Sequence, residues 1–170
     1  DNYLEIKIDA FNIGNKKAPY GVSIHTYLVA GQNIKNNQLF LQLPSSEFMQ
    51  VDLERLLPLG IEKVDSTEFD FRKLKQISNF FIDHAFKADT DLPPRVRLIN
   101  ESKLGVELEF DESTKWIQVH TADRDGKEDA RMAVAIEPMS CPPDAFNSGL
   151  DLITLAPNER HSFSLKIKQI

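Results

Sequence analysis

Apolar and polar positions alternate along most of this chain. In Tyr3-Leu-Glu-Ile-Lys-Ile-Asp-Ala-Phe11 the period is two, as in a strand with one face packed and the other wet. The same pattern predicts strands over Tyr20 to Val29, Gln38 to Leu43, Phe80 to Ala88, Arg95 to Ile99, Gly105 to Phe110, Lys115 to Thr121, Arg131 to Met139 and Ser162 to Ile167. Turn-forming stretches separate many of them: Asn12-Ile-Gly-Asn15, Asn36-Asn37, Leu92-Pro-Pro94 and Asp123-Arg-Asp-Gly126. Short helical turns are predicted at Leu53 to Leu57 and Phe71 to Ile77. Many short strands at this spacing predict an all-β sandwich or barrel. There is no internal repeat, low-complexity tract or flexible linker, so residues 1–170 read as a single domain. The strand pattern begins within three residues of Asp1, which carries the expectation of a chain that starts in mid-fold.

Composition narrows the partners. The 170 residues carry a net charge of −6, and the basic side chains are scattered among more numerous acids. Nucleic acid and anionic membrane surfaces are recognised largely through clustered Lys and Arg, so neither is an expected partner. No apolar run approaches the roughly 20 residues of a membrane-spanning helix, and no signal-peptide pattern is present. The single cysteine, Cys141, leaves no internal disulfide and fits a reducing compartment, with the cytoplasm as the expected location.

Three positions stand out as candidate chemistry. In Tyr20-Gly-Val-Ser-Ile-His-Thr-Tyr-Leu28, alternation sets Ser23, His25 and Tyr27 on the less apolar face. His25 then either lines a wet concave site or is a surface histidine with a structural hydrogen bond. Asp83, within Asn79-Phe-Phe-Ile-Asp-His-Ala-Phe-Lys87, is costly to bury without a partner. It faces solvent or meets a hydrogen-bonding group, a ligand hydroxyl included. Glu137 follows the apolar run Met132 to Ile136, a segment suited to a strand buried on both faces. A carboxylate at the mouth of such a strand has its pKa raised by desolvation, the usual tuning of a general base. The alternative is a structural Glu capping the loop that follows. Pro138, unable to continue a central ladder, is expected to mark the strand's end or a bulge. The histidines lack metal-site spacing, Cys141 has no thiol partner, and phosphate-loop and serine-nucleophile signatures are absent.

Taken together, Ala18-Pro-Tyr-Gly-Val-Ser-Ile-His-Thr-Tyr-Leu28, Leu57-Pro-Leu-Gly60, Thr67-Glu-Phe-Asp-Phe-Arg72, Trp116-Ile-Gln-Val-His-Thr121, Ala133-Val-Ala-Ile-Glu-Pro-Met-Ser-Cys-Pro-Pro-Asp-Ala-Phe-Asn-Ser-Gly149 and Leu155-Ala-Pro-Asn-Glu159 resemble the aldose 1-epimerase (galactose mutarotase-like) family. Thr26 stands where the family's His-Pro-Tyr segment has proline, and Asn158 where its turn has glycine, a mild change because Asn tolerates left-handed backbone. The resemblance implies an antiparallel super-β-sandwich truncated at its N-terminal side. It also implies interconversion of α and β aldohexose anomers, with His25 as acid, Glu137 as base and no cofactor or metal. Asp83 and an aromatic such as Trp116 or Phe81 would bind the sugar. Family members carry roughly another half before this sequence, including a substrate-clamping arginine and a second histidine. Association with such a half, or self-association through unpaired strand edges, is a further expectation. Two alternatives stay open: a hexose-6-phosphate epimerase, for which Arg95 and Arg97 would be a weak phosphate site, and a non-catalytic carbohydrate-binding sandwich.

Overall fold

The first alternating segment forms β1 (Tyr3–Phe11) and pairs antiparallel along its whole length with the last strand, β14 (Arg160–Gln169). The computed structural model describes residues 2–52, 54–124 and 126–170. Between these strands run β2 (Ala18–Tyr20), β3 (Thr26–Leu28), β4 (Phe40–Gln42), β5 (Glu47–Val51), β6 (Pro58–Lys63), β7 (Lys75–Gln76), β8 (Asp83–Lys87), β9 (Arg95–Ile99), β10 (Gly105–Phe110), β11 (Trp116–His120), β12 (Val134–Met139), the one-turn helix α1 (Ala145–Ser148) and β13 (Ile153–Leu155). Two six-stranded sheets result, ordered β1-β14-β10-β9-β4-β7 and β3-β12-β11-β8-β5-β6, with a two-stranded ribbon of β13 and β2. Every paired strand is antiparallel. This is an antiparallel β-sandwich of two sheets.

One core lies between the sheets. Leu41, Val96, Leu98, Leu108, Phe163 and Leu165 from the first meet Leu28, Phe48, Phe86, Ile117, Val119, Val134 and Ile136 from the second. Because side chains alternate across a strand, the neighbours of these residues point to the outer faces. On the first sheet's outer face Glu107 is buried beneath Arg95, Arg97 and Lys168, with Lys168 Nζ 2.9 Å from its Oε1. The outer face of the second sheet carries the candidate site.

Several expectations need correcting. The segment Tyr20 to Val29 is not one strand but two short ones with a break. Phe71 to Ile77 is not helical: it contains β7, and Phe71 and Ile77 are both fully buried. Of the predicted turn at Leu53 to Leu57, Leu53 lies outside the described residues. The rest is tied to the Asp52 carboxylate, which accepts from the amides of Glu54, Arg55 and Leu57. In the Asp123 to Gly126 turn, Asp125 lies outside the described residues. Strands β5 and β6 went unforeseen. Phe48 and Met49 are consecutive and both buried, so β5 has no alternation, and the Pro and Gly of β6 mimic a turn. An edge strand accepts both.

His84 is the titratable group set deepest in this core. It packs against Phe48 and Phe69 with ring centroids 5.8 and 4.6 Å away, and burial holds its pKa below the usual histidine value. The folded state therefore prefers the neutral ring. The stability this provides is complete above the unfolded-state pKa near 6.5 and is lost as pH falls toward the folded value. We expect His84→Phe to flatten the decline of the melting temperature between pH 7 and 5. An unchanged decline in that variant would show that other groups drive the acid instability.

Candidate active site

Strand pairing alone brings His25 and Glu137 face to face. β12 pairs with β3 at Thr26↔Ile136, Tyr27↔Ala135 and Leu28↔Val134, and an isolated bridge joins Ser23 to Met139. The register is the same on both sides of the gap, which places His25 opposite Glu137. Their side chains meet with Nε2 and Oε1 3.2 Å apart.

The gap itself has a cause in the sequence. Contrary to expectation, Pro138 neither ends nor bulges its strand, since β12 runs on to Met139. The partner yields instead. Ile24 N–H donates to Pro138 O at 3.3 Å, but proline has no N–H to return to Ile24 O. That carbonyl accepts from Thr26 N–H at 3.2 Å. The Thr26 hydroxyl then takes over its amide's place on Ile136 O. The chain is thereby pinched at His25, on an irregular, exposed edge, opposite a Glu137 fixed in an inner strand. Glu137 lies within its strand rather than at its mouth.

The two side chains differ in surroundings. His25 is more than half exposed, and its ring stacks on Tyr27 with centroids 5.1 Å apart. The Glu137 side chain is only 13% exposed. Burial pushes its pKa above the ordinary carboxylate range; His25 and His120 pull it back, while Asp83 pushes it further up.

The next strands extend the row. Gln118 on β11 pairs with Glu137 on one side and with Ala85 of β8 on the other. One step along, His120 lies between Ala135 and Asp83. Gln118 Nε2 donates to Asp83 Oδ1 at 2.6 Å, and His120 Nδ1 lies 3.6 Å from Asp83 Oδ2. Asp83 therefore meets protein partners and joins His25 and Glu137 on one outer face. Phe81, 44% exposed, stands edge-on to His120 at the rim.

Trp116 is on this face too but offers no surface to a ligand. It is fully buried with Met49, Ala85 and Met139, and its Nε1 donates to Asp151 Oδ2 at 2.7 Å. In this arrangement it supports the floor of the site, and the expectation of a sugar-stacking Trp116 is not met. Gln118 and His120 were not singled out from sequence. The signal was available, because alternation along Trp116-Ile-Gln-Val-His120 puts both on Trp116's face.

Other groups lie apart. Arg95 and Arg97 point outward on the opposite sheet, with the core between them and Glu137, and are spent on Glu107. Burial raises the Cys141 thiol's pKa, the reverse of an activated nucleophile. Among the described residues, no three His, Cys, Asp or Glu side chains converge as metal ligands do. Nor is any described helix long and apolar enough to cross a membrane.

Residues 1–168 match the family model described as aldose 1-epimerase. The chain belongs to the aldose 1-epimerase family. It is 38% identical over 164 residues to the uncharacterized protein YihR of Escherichia coli, covering 96% of this chain and 51% of that protein. Among solved structures, it superposes on the GalM/aldose epimerase homologue of C. elegans with a TM-score of 0.83 at 22% identity, covering 99% of this chain and 56% of that one. The galactose 1-epimerase of Lactobacillus acidophilus gives 0.79 at 23%, covering 99% and 53%. This chain thus spans about half the length of the relatives it matches.

Proposed function

We propose that this chain carries the acid/base pair of an aldose 1-epimerase that interconverts the α and β anomers of an aldohexose, with Glu137 as base and His25 as acid. The observation that carries the reading is the cross-strand contact of the His25 imidazole with the mostly buried Glu137 carboxylate. Ring opening needs one proton taken from the anomeric hydroxyl and one given to the ring oxygen. A carboxylate and an imidazolium suit these two transfers. Glu137 accepts the O1 proton as His25 in its imidazolium form protonates O5, and the C1–O5 bond breaks to give the open-chain aldehyde. Rotation about C1–C2 followed by the reverse transfers closes the other anomer. Both residues end as they began, and the proton inventory balances without an external oxidant or reductant. Asp83 accepts hydrogen bonds from sugar hydroxyls.

The phosphorylated-sugar alternative would draw on Arg95 and Arg97, and these face away on the other sheet. Polarimetry or NMR of freshly dissolved α-glucose and α-galactose with the full-length protein tests the proposal. Equilibration faster than in buffer supports it; buffer rates for both sugars overturn it.

The raised Glu137 pKa sets a pH expectation. The base works only when ionised, so kcat/KM should fall on the acid side with a midpoint above the ordinary carboxylate value of about 4.3. An acid limb at or below that value would remove Glu137 from the role.

A further inference from the structure

We infer that His120 is a positioning residue, holding the Asp83 carboxylate in place for a sugar hydroxyl. The inference rests on the aldose-epimerase reading and extends it to a residue outside the acid/base pair.

Asp83 is the first residue of β8, and two residues of β11 face its carboxylate. One oxygen, Oδ1, is taken by the Gln118 amide at 2.6 Å. The other, Oδ2, faces His120 Nδ1 at 3.6 Å across the register pair His120↔Asp83. That ring nitrogen is buried and has no hydrogen-bond partner among the described residues. A buried polar atom is ordinarily satisfied, and among the described residues Asp83 is the carboxylate paired with it.

The separation exceeds a hydrogen bond by only a few tenths of an ångström. Catalytic hydrogen bonds are often long in an empty site and tighten when substrate arrives. Phe81 stands edge-on to the imidazole at 6.1 Å. Donation from Nδ1 requires the proton on that nitrogen, which fixes the tautomer and leaves Nε2 as the ring's acceptor. With both oxygens engaged, the carboxylate presents its remaining lone pairs in one direction, and less ordering is left to be done on binding.

Two measurements on the full chain test this. Long-range proton–nitrogen NMR correlations report which ring nitrogen carries the hydrogen. We expect the Nδ1–H tautomer for His120 in the unsubstituted protein and its loss in Asp83→Ala. An Nε2–H tautomer, or one indifferent to Asp83→Ala, overturns the inference whether or not any sugar is turned over. Anomer equilibration supplies the second arm. His120→Phe should raise KM about 10-fold, the worth of one hydrogen bond to a charged group, with kcat changed less than about twofold. His120→Gln, which keeps a donor, should recover most of that loss. Equal losses in kcat for both variants with KM unchanged would overturn the positioning role. Buffer-rate equilibration by the unsubstituted protein would instead sink the epimerase reading, leaving the tautomer measurement to decide the His120–Asp83 contact.

Discussion

Glu137→Gln is expected to lower kcat/KM for anomer interconversion by about 100- to 10,000-fold, the usual contribution of a general base, while raising the protein's stability at neutral pH. The first effect follows from chemistry: an amide accepts no proton from a sugar hydroxyl at these pH values. The second follows from the cost of keeping the charge. Burial raises the Glu137 pKa in the folded chain, so folding favours the protonated form. The associated stability is present below the unfolded-state pKa of about 4.3 and is lost as pH rises through the higher folded value. At neutral pH the ionised side chain is therefore a net liability, even with His25 3.2 Å away. A neutral isostere removes that liability. The melting temperature of Glu137→Gln should exceed that of the unsubstituted protein at pH 7, and the gap should close below pH 4. Near-normal turnover would end the base assignment, and a lower melting temperature at pH 7 would show that the His25 contact outweighs desolvation.

Gly105→Ala should be among the most destabilising single methyl additions the fold can receive. Gly105 begins β10, pairs with Ile99 of β9, and on its other side exchanges two backbone hydrogen bonds with Ile170. A Cβ there would lie 2.0 Å from Leu98 O and 2.8 Å from Ile99 Cα. Both obstructing atoms are backbone, so no side-chain rotation relieves the clash and the two strands must part. Overpacking of this kind costs about 3 kcal/mol, which in a chain of this size lowers the melting temperature by roughly 6–12 °C. Gly60→Ala is the matched control, because among the described residues nothing lies within 4 Å of a Cβ built at that glycine. It should change the melting temperature by less than about 2 °C. Equal effects at the two positions would show that the β9–β10 pair has room for a Cβ at position 105.

The sequence by itself determined the all-β class, because period-two alternation admits only half-buried strands. It also set the bounds of β1, β9 and β10, where alternation runs through most of each strand, and the exposed face shared by Ser23, His25 and Tyr27. It did not determine β5, whose adjacent buried Phe48 and Met49 break the period, or β6, whose Pro58 and Gly60 are tolerable only at an edge that pairing alone defines. Nor did alternation reveal which strands would be neighbours. His25 and Glu137 are 112 positions apart, and only the β3–β12 register sets them opposite each other. The missing proline N–H at position 138 could be read from the sequence. That its effect would fall on the partner strand, pinching the chain at His25, could not. Burial separated residues that alternation had put together: Trp116, Gln118 and His120 share a face, yet Trp116 disappears under Met49 and Met139 while Gln118 and His120 reach Asp83. Local periodicity fixes the face a side chain takes, whereas which side chains meet is decided by pairing between distant strands.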